Sequence, residues 1–391
     1  MRVLFKLALR NLLGAGLRTW LNVIVLSFAF VVIIWTQGLY RGMSRQAIRA
    51  LTDAEYGGGQ YWHEKYDPFN PLTLDEAHGP VPEPLARLIE KGGATAVLVI
   101  QGTLYPQGRF VPVLIKGIDP DQHVLIFPSS FLKAGEEEVP AIIGSRMAKA
   151  SGLKVGDTVT LRWRDARGAF DARDIRIVQV LRTTVQSIDV GQVWVSLPTL
   201  RALAGMEGEA TLVTLAKGTP FPGQVAGWPF VGLDVLLQDI YGVVRSKTLG
   251  ATILYVVLLL LAMLAIFDTQ VLSIWRRRKE MGTLMALGMT RAKIIQIFTL
   301  EGALHGVLAA IVAAIYGIPF LTIFARTGWA MPEAVDSYGL AIGERIFPVY
   351  TAGLIVGTTV LVMLVTTIVS FLPTRKIAKL KPTEALRGRI T

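Results

Sequence analysis

Four long apolar runs alternate with polar segments along the chain. A helix that crosses a membrane needs about 20 mostly apolar residues, and the runs that reach this length are 20–42, 248–275, 297–325 and 349–372. The first run is longer than the roughly 7–15 residues of a secretory signal core and is followed by no small-x-small cleavage pattern, so we expect it to be retained. The pattern predicts an α-helical membrane protein with four transmembrane helices.

Basic residues flank these spans unevenly. Lys and Arg cluster in 1–19, in 276–296 and in 373–391. Because positively charged segments tend to stay on the cytoplasmic side of a membrane, we expect these three segments and both termini to be cytoplasmic. The same rule places 43–247 and the short loop 326–348 on the outer side. An even number of spans returns the chain to the side of the membrane where it began, which agrees with the cytoplasmic placement of both termini by charge.

The long outer segment 43–247 has the mixed charge and the size of one or two compact domains. Short alternating or β-branched runs predict strands at "ATAVLVIQGTLY", "FVPVLIKGI", "TVTLRW", "IRIVQVL" and "GQVWVSL". Helices are predicted at "PEPLARLIEKGG", at "SRMAKASG" with Ser145 as the N-cap, and at "LPTLRALAG". Gly156 and Asp157 fit a tight turn that directs Val159 and Leu161 to the core face of a strand. We therefore expect a large extracytoplasmic α+β domain inserted between helices 1 and 2 of the membrane part.

Composition agrees with a membrane protein. The 391 residues are 52% hydrophobic and 18% charged, with a mean hydropathy of +0.48 and a formal net charge of +11. Cysteine is absent, which excludes disulfides, thiolate metal sites and cysteine nucleophiles. The basic charge lies beside the spans rather than on the outer segment, so nucleic acid is not an expected partner.

The sequence carries no nucleotide-binding or catalytic motif. The phosphate-binding pattern G-x-x-x-x-G-K-[ST] is missing, and the glycines at 57–59 and 92–93 lack the Lys and hydroxyl residues that phosphate and magnesium need. The four histidines lack the i, i+4 spacing of a helical metal pair, and there is no G-x-S-x-G elbow. We expect no catalytic residue, metal site or cofactor in this chain. The stretch "YWHEKYDPF" at 61–69 favours a surface loop, with a ligand-facing loop as the alternative.

Three ionisable residues fall inside the predicted spans, where charge is costly and often functional. They are Asp268 in the second span and Glu301 and His305 in the third. Glu301 and His305 are four residues apart, so they share a helix face and are placed to pair with each other. Both lie near the cytoplasmic end of their span. A structural role at the base of the helix bundle is favoured over a proton relay, which stays open as the alternative.

The segment between the second and third spans reads "RRRKEMGTLMALGMTRAKIIQIFTLEG". It resembles the cytoplasmic loop of FtsX-like ABC transporter permeases, the MacB and LolC/LolE group, through Glu280, Gly282, Leu284, Ala286, Leu287 and Gly288 and then through Leu300, Glu301 and Gly302. The start "LALRNLLGAGLRTWLNVI" resembles the amphipathic helix, here 1–19, and the first span of that family. The tail "LPTRKIAKLKPTEALRG" resembles the closing proline, basic run and P-x-E-A-L-R of that family, and "GSRMAKASGLKVGDTVTL" resembles its periplasmic core domain. Residues 52–93 carry no recognised resemblance to this family.

This resemblance implies that the segment is a coupling helix, an apolar element that docks into a groove on an ATPase. The residues expected to couple are Glu280, Met281, Gly282, Leu284, Met285, Ala286, Leu287 and Gly288, the last of which ends the helix. Since no phosphate loop is present, the implied ATPase is a separate chain that binds ATP and Mg. MacB itself carries a fused ATPase, so this sequence looks closer to the stand-alone permeases LolC and LolE.

The resemblance further implies an assembly of two ATPases and two permeases in the inner, cytoplasmic membrane, the second permease being identical or homologous. ATP-driven motion would pass to the periplasmic domains by mechanotransmission, for export or extraction of a lipoprotein, a lipid or a periplasmic substrate. A periplasmic adaptor or a lipoprotein is a further candidate partner. The alternative is a regulator of a cell-wall hydrolase, or an antibiotic-sensing complex, without a transported substrate. A membrane enzyme acting alone is disfavoured because the sequence offers no catalytic constellation.

Overall fold

The structure is a computed structural model that describes residues 16–133, 138–181, 186–330 and 345–375. The chain divides into two compact units. A helical unit comprises the described parts of Met1–Met43, Val243–Trp329 and Ile346–Thr391, and a second unit comprises those of Ser44–Gly242 and Ala330–Arg345. Most of the expected N-terminal helix at 1–19, of the loop 326–348 and of the basic tail 373–391 lies outside the described residues.

The described residues form ten α-helices. In chain order they are α1 Leu17–Leu51, α2 Glu83–Glu90, α3 Ser145–Ser151, α4 Gln186–Asp189, α5 Leu197–Ala204, α6 Leu233–Leu236, α7 Gln238–Arg276, α8 Arg278–Ala286, α9 Arg291–Thr327 and α10 Ala352–Thr374. A π-helical turn, Thr52–Tyr56, follows α1. Four helices, α1, α7, α9 and α10, are long and apolar enough to cross a membrane.

The long helices extend past the apolar runs that predicted them. Helix α1 continues to Leu51 instead of ending near 42, because Met43, Ala47 and Leu51 recur every four residues and keep one face buried. Helix α9 begins at Arg291, six residues before the predicted start at 297. Polar residues between the buried positions interrupt the apolar run in both places, although the helical period continues through them.

The helical unit has an apolar core to which all four long helices contribute. One buried cluster includes Phe30 of α1, Ile266 of α7, Ala309 of α9 and Val362 of α10. Small residues let α9 and α10 approach closely, since Gly302 lies directly against Ser370. The outward faces of the same helices expose large apolar side chains, among them Leu260, Ile315 and Val360. Such faces are expected where lipid replaces water around a helix.

The second unit is built on a nine-stranded sheet. The strands of the described chain are β1 Gln60–Trp62, β2 Gly79–Pro80, β3 Ala94–Leu104, β4 Val111–Ile118, β5 Val139–Gly144, β6 Thr158–Arg164, β7 Phe170–Leu181, β8 Gln192–Ser196, β9 Glu209–Ala210, β10 Leu212–Leu215, β11 Phe230–Val231, β12 Trp329–Ala330 and β13 Arg345–Ile346. The large sheet has the order β11-β1-β10-β3-β4-β8-β5-β7-β6, and β3 also pairs with β6. Six strands, β3, β4, β8, β5, β7 and β6, therefore close into a ring.

Both faces of the sheet are buried around β3. Leu98 belongs to one apolar cluster with Ile115 and Trp163, whereas its neighbours Val97 and Val99 belong to a second cluster on the opposite face. Side chains alternate between the two faces of a strand, so a strand buried on both faces carries a nearly continuous apolar run. This explains the sequence "ATAVLVI" and its correct prediction as a strand.

Most of the predicted elements of this unit are confirmed. Strands β3, β4, β6, β7 and β8 and helices α2, α3 and α5 occur where the sequence patterns predicted them. Gly156 adopts a φ of +95°, and Val159 and Leu161 are buried as expected. Strand β5 was not predicted, because its run "VPAIIG" is short and contains Pro140.

The N-cap predicted at Ser145 is wrong. Helix α3 begins at Ser145, and its cap position is Gly144. The buried carboxylate of Asp189 replaces a local cap: it accepts hydrogen bonds from the Ser145 hydroxyl (3.1 Å) and from the Arg146 backbone N–H (3.0 Å). Asp189 is 44 residues away from Ser145 in sequence, so no local pattern could identify it as the capping group.

Candidate functional site

Helix α8 contains the segment that the sequence predicted as a coupling element. The helix ends at Ala286, and Leu287 and Gly288 follow it. Gly288 has a φ of +91°, a conformation that glycine adopts without steric cost. Its N–H donates to the Met285 carbonyl (3.1 Å). This left-handed turn ends α8 at the glycine that the sequence indicated.

The eight residues predicted to couple divide between the interior and the surface. Met281 is only 1% exposed and packs in a cluster with Ile294 and Phe298. Gly282 is also buried, and Leu284 and Met285 are half-buried. The exposed members are Glu280, Ala286, Leu287 and Gly288, with Leu287 at 80%.

Met281 is therefore not part of the exposed surface of α8, and the coupling role of the eight residues stays a prediction. Helix α8 is amphipathic, so the side chains on one face must pack against its neighbours while the other face remains free. Met281 lies on the packed face, where it attaches α8 to the first turns of α9. The exposed apolar surface is concentrated at Leu287, at the end of the helix.

Arg277 connects α8 to the interior of the helical unit. Its Nε donates to Glu280 Oε2 (2.8 Å), and its Nη1 donates to Glu301 Oε2 (2.9 Å). The guanidinium also lies 5.0 Å from the ring centroid of Phe298, within the range of a cation–π contact. Because the Glu301 side chain is only 6% exposed, this charge-assisted pair is shielded from water and fixes the start of α8 against α9.

The expected pair between the side chains of Glu301 and His305 is not formed. The Glu301 carboxylate binds Arg277 instead, and His305 Nδ1 donates to the backbone carbonyl of Glu301 (3.0 Å). His305 Nε2 is buried and has no hydrogen-bond partner among the described residues. Asp268 lies apart, on an exposed position of α7. The arrangement favours the structural role of Glu301 over a relay through His305.

Sequence reasoning missed two contacts in this region. Arg277 was interpreted only as part of a basic cluster that sets orientation, although a buried glutamate in the next helix requires a cationic partner. Asn22 of α1 donates to Thr269 of α7 through its side-chain amide (2.6 Å). Neither contact follows from spacing along one helix, because each joins residues that are distant along the chain.

A cavity of about 400 Å³ lies beside α8. Its lining includes Arg277, Met281, Leu284, Met289 and Phe298. The walls are mostly apolar, with the charged side chains of Arg277 and Glu280 among them, which suits packing of a partner side chain rather than covalent chemistry. In the described part of the chain, no group of three or more His, Asp or Glu residues is placed to bind a metal ion.

Comparisons with known proteins find relatives for parts of this chain. A family model described as FtsX-like permease C-terminal matches residues 252–382, which include all of α8, α9 and α10. An uncharacterized ABC transporter permease of Methanocaldococcus jannaschii is 27% identical over 255 residues, which cover 60% of this chain and 58% of that protein. A macrolide export ATP-binding/permease protein MacB of Shewanella oneidensis is 25% identical over 228 residues, which cover 56% of this chain and 31% of that protein.

Part of this chain is similar to one solved structure, the extracellular domain of the noncanonic ABC-type transporter YknZ from Gram-positive bacteria. It covers 47% of this chain and 94% of its own, with 16% identity and a TM-score of 0.28. The chain spans less than two thirds of the length of the two sequence relatives. Residues 252–382 thus match the FtsX-like permease C-terminal family, and the chain is similar to ABC transporter permeases of the FtsX and MacB type.

Proposed function

We propose that this chain is the permease subunit of an ABC transporter, and that α8 passes ATP-driven motion from a separate ATPase to the rest of the chain. The contacts of Arg277 support this proposal most strongly. Its guanidinium binds the exposed Glu280 of α8 and the buried Glu301 of α9. A force applied to α8 is transmitted to α9 through this pair and through Met281. In this proposal the separate ATPase binds ATP and Mg.

The proposed topology has four membrane-spanning helices, α1, α7, α9 and α10, with both termini and α8 on the cytoplasmic side. Residues 44–242 would then be an extracytoplasmic domain between the first and second spans, on which the work is done. The proposed assembly contains two ATPases and a second permease, identical or homologous. Its work is export or extraction of a lipoprotein, a lipid or a periplasmic substrate, with an adaptor or lipoprotein as a further partner.

The coupling proposal is tested at Leu287, the most exposed apolar residue of the segment. Burial of a leucine side chain is worth about 1.5–3 kcal/mol, so Leu287→Asp is expected to weaken ATPase binding at least about tenfold. Val155→Asp is the matched control, since Val155 is also an exposed apolar residue but lies in the second unit. The measurement is recovery of the ATPase with tagged permease from a mild detergent, together with ATP hydrolysis by the purified complex.

Unchanged ATPase recovery and hydrolysis with Leu287→Asp would contradict coupling through α8. Leu287 is preferable to Leu284, which is half-buried, and to Gly288→Pro, which would distort the turn itself because proline cannot adopt a positive φ. Mass spectrometry of the same preparation separates the candidate functions. A co-purified lipoprotein supports extraction, whereas a cell-wall hydrolase would favour the regulatory alternative.

The proposed topology is tested by labelling single cysteines, because the chain has none of its own. Lys149→Cys in α3 and Thr283→Cys in α8 both replace exposed residues. A membrane-impermeant maleimide applied to intact spheroplasts is expected to label residue 149 and to label residue 283 only after lysis. Labelling of residue 283 in intact spheroplasts would overturn the orientation.

A further inference from the structure

The second unit contains an aromatic-lined cavity that the proposed transmission of motion does not explain. The cavity has a volume of about 270 Å³. Buried residues of the sheet close its inner end, among them Lys116 of β4 and Trp194 of β8. Its mouth is formed by exposed residues, including Phe69 and Asp239. The cavity is therefore open at one end and closed by the sheet at the other.

Five aromatic side chains are among the described residues that line the cavity. Trp62 and Tyr66 contact each other edge to face, with ring centroids 5.2 Å apart, and both border the cavity. Tyr56 also borders the cavity, and so does Trp194, whose ring centroid lies 5.1 Å from the Lys116 ammonium. Trp62, Tyr66 and Phe69 all come from the stretch "YWHEKYDPF", for which a ligand-facing loop was the alternative interpretation. The structure places the side chains of this stretch around a cavity, as that alternative requires.

Among the described residues that line the cavity, Glu55, Lys116 and Asp239 are charged, and together they carry a net charge of −1. The Lys116 ammonium lies 2.6 Å from Glu55 Oε1, and the two side chains are only 7% and 13% exposed. This buried pair neutralises the lysine, while Asp239 at the mouth has no ion pair among the described residues. Burial raises the pKa of the Tyr66 hydroxyl, and the carboxylates of Glu55 and Asp67 raise it further. Among the described lining residues, the unpaired negative charge is therefore that of Asp239 at the mouth.

A carboxylate beside aromatic rings attracts organic cations. The faces of Trp and Tyr rings carry negative charge density and bind quaternary ammonium groups and protonated amines. The apolar walls would accommodate the hydrocarbon part of such a molecule. The volume is slightly below the roughly 300–1,000 Å³ of sites for drug-sized ligands, so the ligand is expected to contain a single ring or a short chain.

We propose that this cavity is a binding site for a small organic cation with an apolar body. The lining includes Glu55 and Tyr56 of the turn that follows α1, and also Gln238 and Asp239, the first residues of α7. A bound cation therefore contacts the chain segments that adjoin two of the long helices. The site does not depend on ATPase coupling, and its failure would leave the proposed function unaffected.

The experiment measures binding of phenyltrimethylammonium to the full-length chain in nanodiscs of zwitterionic lipid, by ligand-detected saturation-transfer NMR. Empty nanodiscs give the background from lipid. The neutral isostere tert-butylbenzene has the same shape without the charge. We expect saturable binding of the cation and at least about fivefold weaker binding of the isostere, the ratio that one modest charge interaction produces.

Asp239→Asn tests the assignment of the charge at the mouth. Asp239 is exposed, so its replacement should leave the fold intact, and affinity for the cation is expected to fall about fivefold. Asp234→Asn is the matched control, because Asp234 is an exposed carboxylate of the neighbouring helix α6 that does not line the cavity. Absence of saturable binding, equal binding of the neutral isostere, or an equal effect of the two substitutions would each overturn the proposal.

Discussion

Gly302→Ala is expected to destabilise the helical unit, because α9 and α10 touch at this position. A Cβ atom added to Gly302 would lie closer than 3.0 Å to both the Cβ and the Oγ atoms of Ser370, and 3.2 Å from Gln270 Nε2. Non-bonded carbon atoms prefer a separation of about 3.5–4.0 Å. Ser370 Cβ is attached directly to the backbone of α10, so rotation of its side chain cannot relieve the clash. The two helices must separate instead.

The size of the effect follows from two opposing contributions. Overpacking a well-packed contact typically costs about 1–3 kcal/mol, and the upper end applies here because the helix backbones have to move. Replacing glycine by alanine inside a helix recovers up to about 1 kcal/mol of conformational free energy. The expected net loss in the free energy of unfolding is therefore about 2 kcal/mol for Gly302→Ala.

The assay is unfolding of the full-length chain in mild detergent by titration with SDS, followed by far-UV circular dichroism. Gly357→Ala in α10 is the control, since nothing lies within 4 Å of the added Cβ atom, and it should be neutral or slightly stabilising. Ser370→Gly combined with Gly302→Ala removes both clashing atoms and should restore much of the stability. If Gly302→Ala were as stable as Gly357→Ala, the close approach of α9 and α10 would be refuted.

Three further changes test other contacts. Arg277→Met removes a donor to the buried Glu301 carboxylate and should lower the free energy of unfolding by about 2 kcal/mol in the same SDS titration. The loss should be smaller in the double variant Arg277→Met with Glu301→Gln, and equal losses in the single and double variants would contradict the pairing. Asp189→Ala should cost about 1–2 kcal/mol through the lost cap of α3, measured by thermal unfolding, and no change would refute this cap. Burial lowers the pKa of the His63 imidazole in the folded state. The unfolded state takes up the proton at the ordinary pKa of about 6.5, before the folded state does, so lowering the pH from 7.5 to 5.5 should reduce the free energy of unfolding. His63→Gln should weaken that pH dependence, and an unchanged profile would argue against it.

The sequence was sufficient where the signal lies in neighbouring residues. Apolar runs of spanning length predicted all four long helices, because the cost of unsatisfied backbone groups in lipid leaves few other structures for such runs. Strand β3 was predicted because two buried faces require a continuous apolar run, and the end of α8 because only glycine accepts its positive φ without strain.

The sequence was insufficient where the decisive partner is distant along the chain. Ser145 has the residue type of an N-cap, yet Asp189 supplies the capping carboxylate from 44 residues away. Glu301 and His305 have the spacing of a helical pair, yet Arg277 binds the Glu301 carboxylate. In both cases a stronger, charge-assisted partner replaced the local one, and only the packing of different elements brought it within reach.

The same distinction applies to the two candidate sites. Local pattern alone indicated the position of α8 and its glycine stop, since helix period and backbone conformation are properties of a few consecutive residues. Tertiary structure alone decided that Met281 faces inward while Leu287 remains exposed. It also decided that Trp62, Lys116 and Asp239 border one cavity. Burial and enclosure depend on how separate elements pack, and that packing is determined by the chain as a whole.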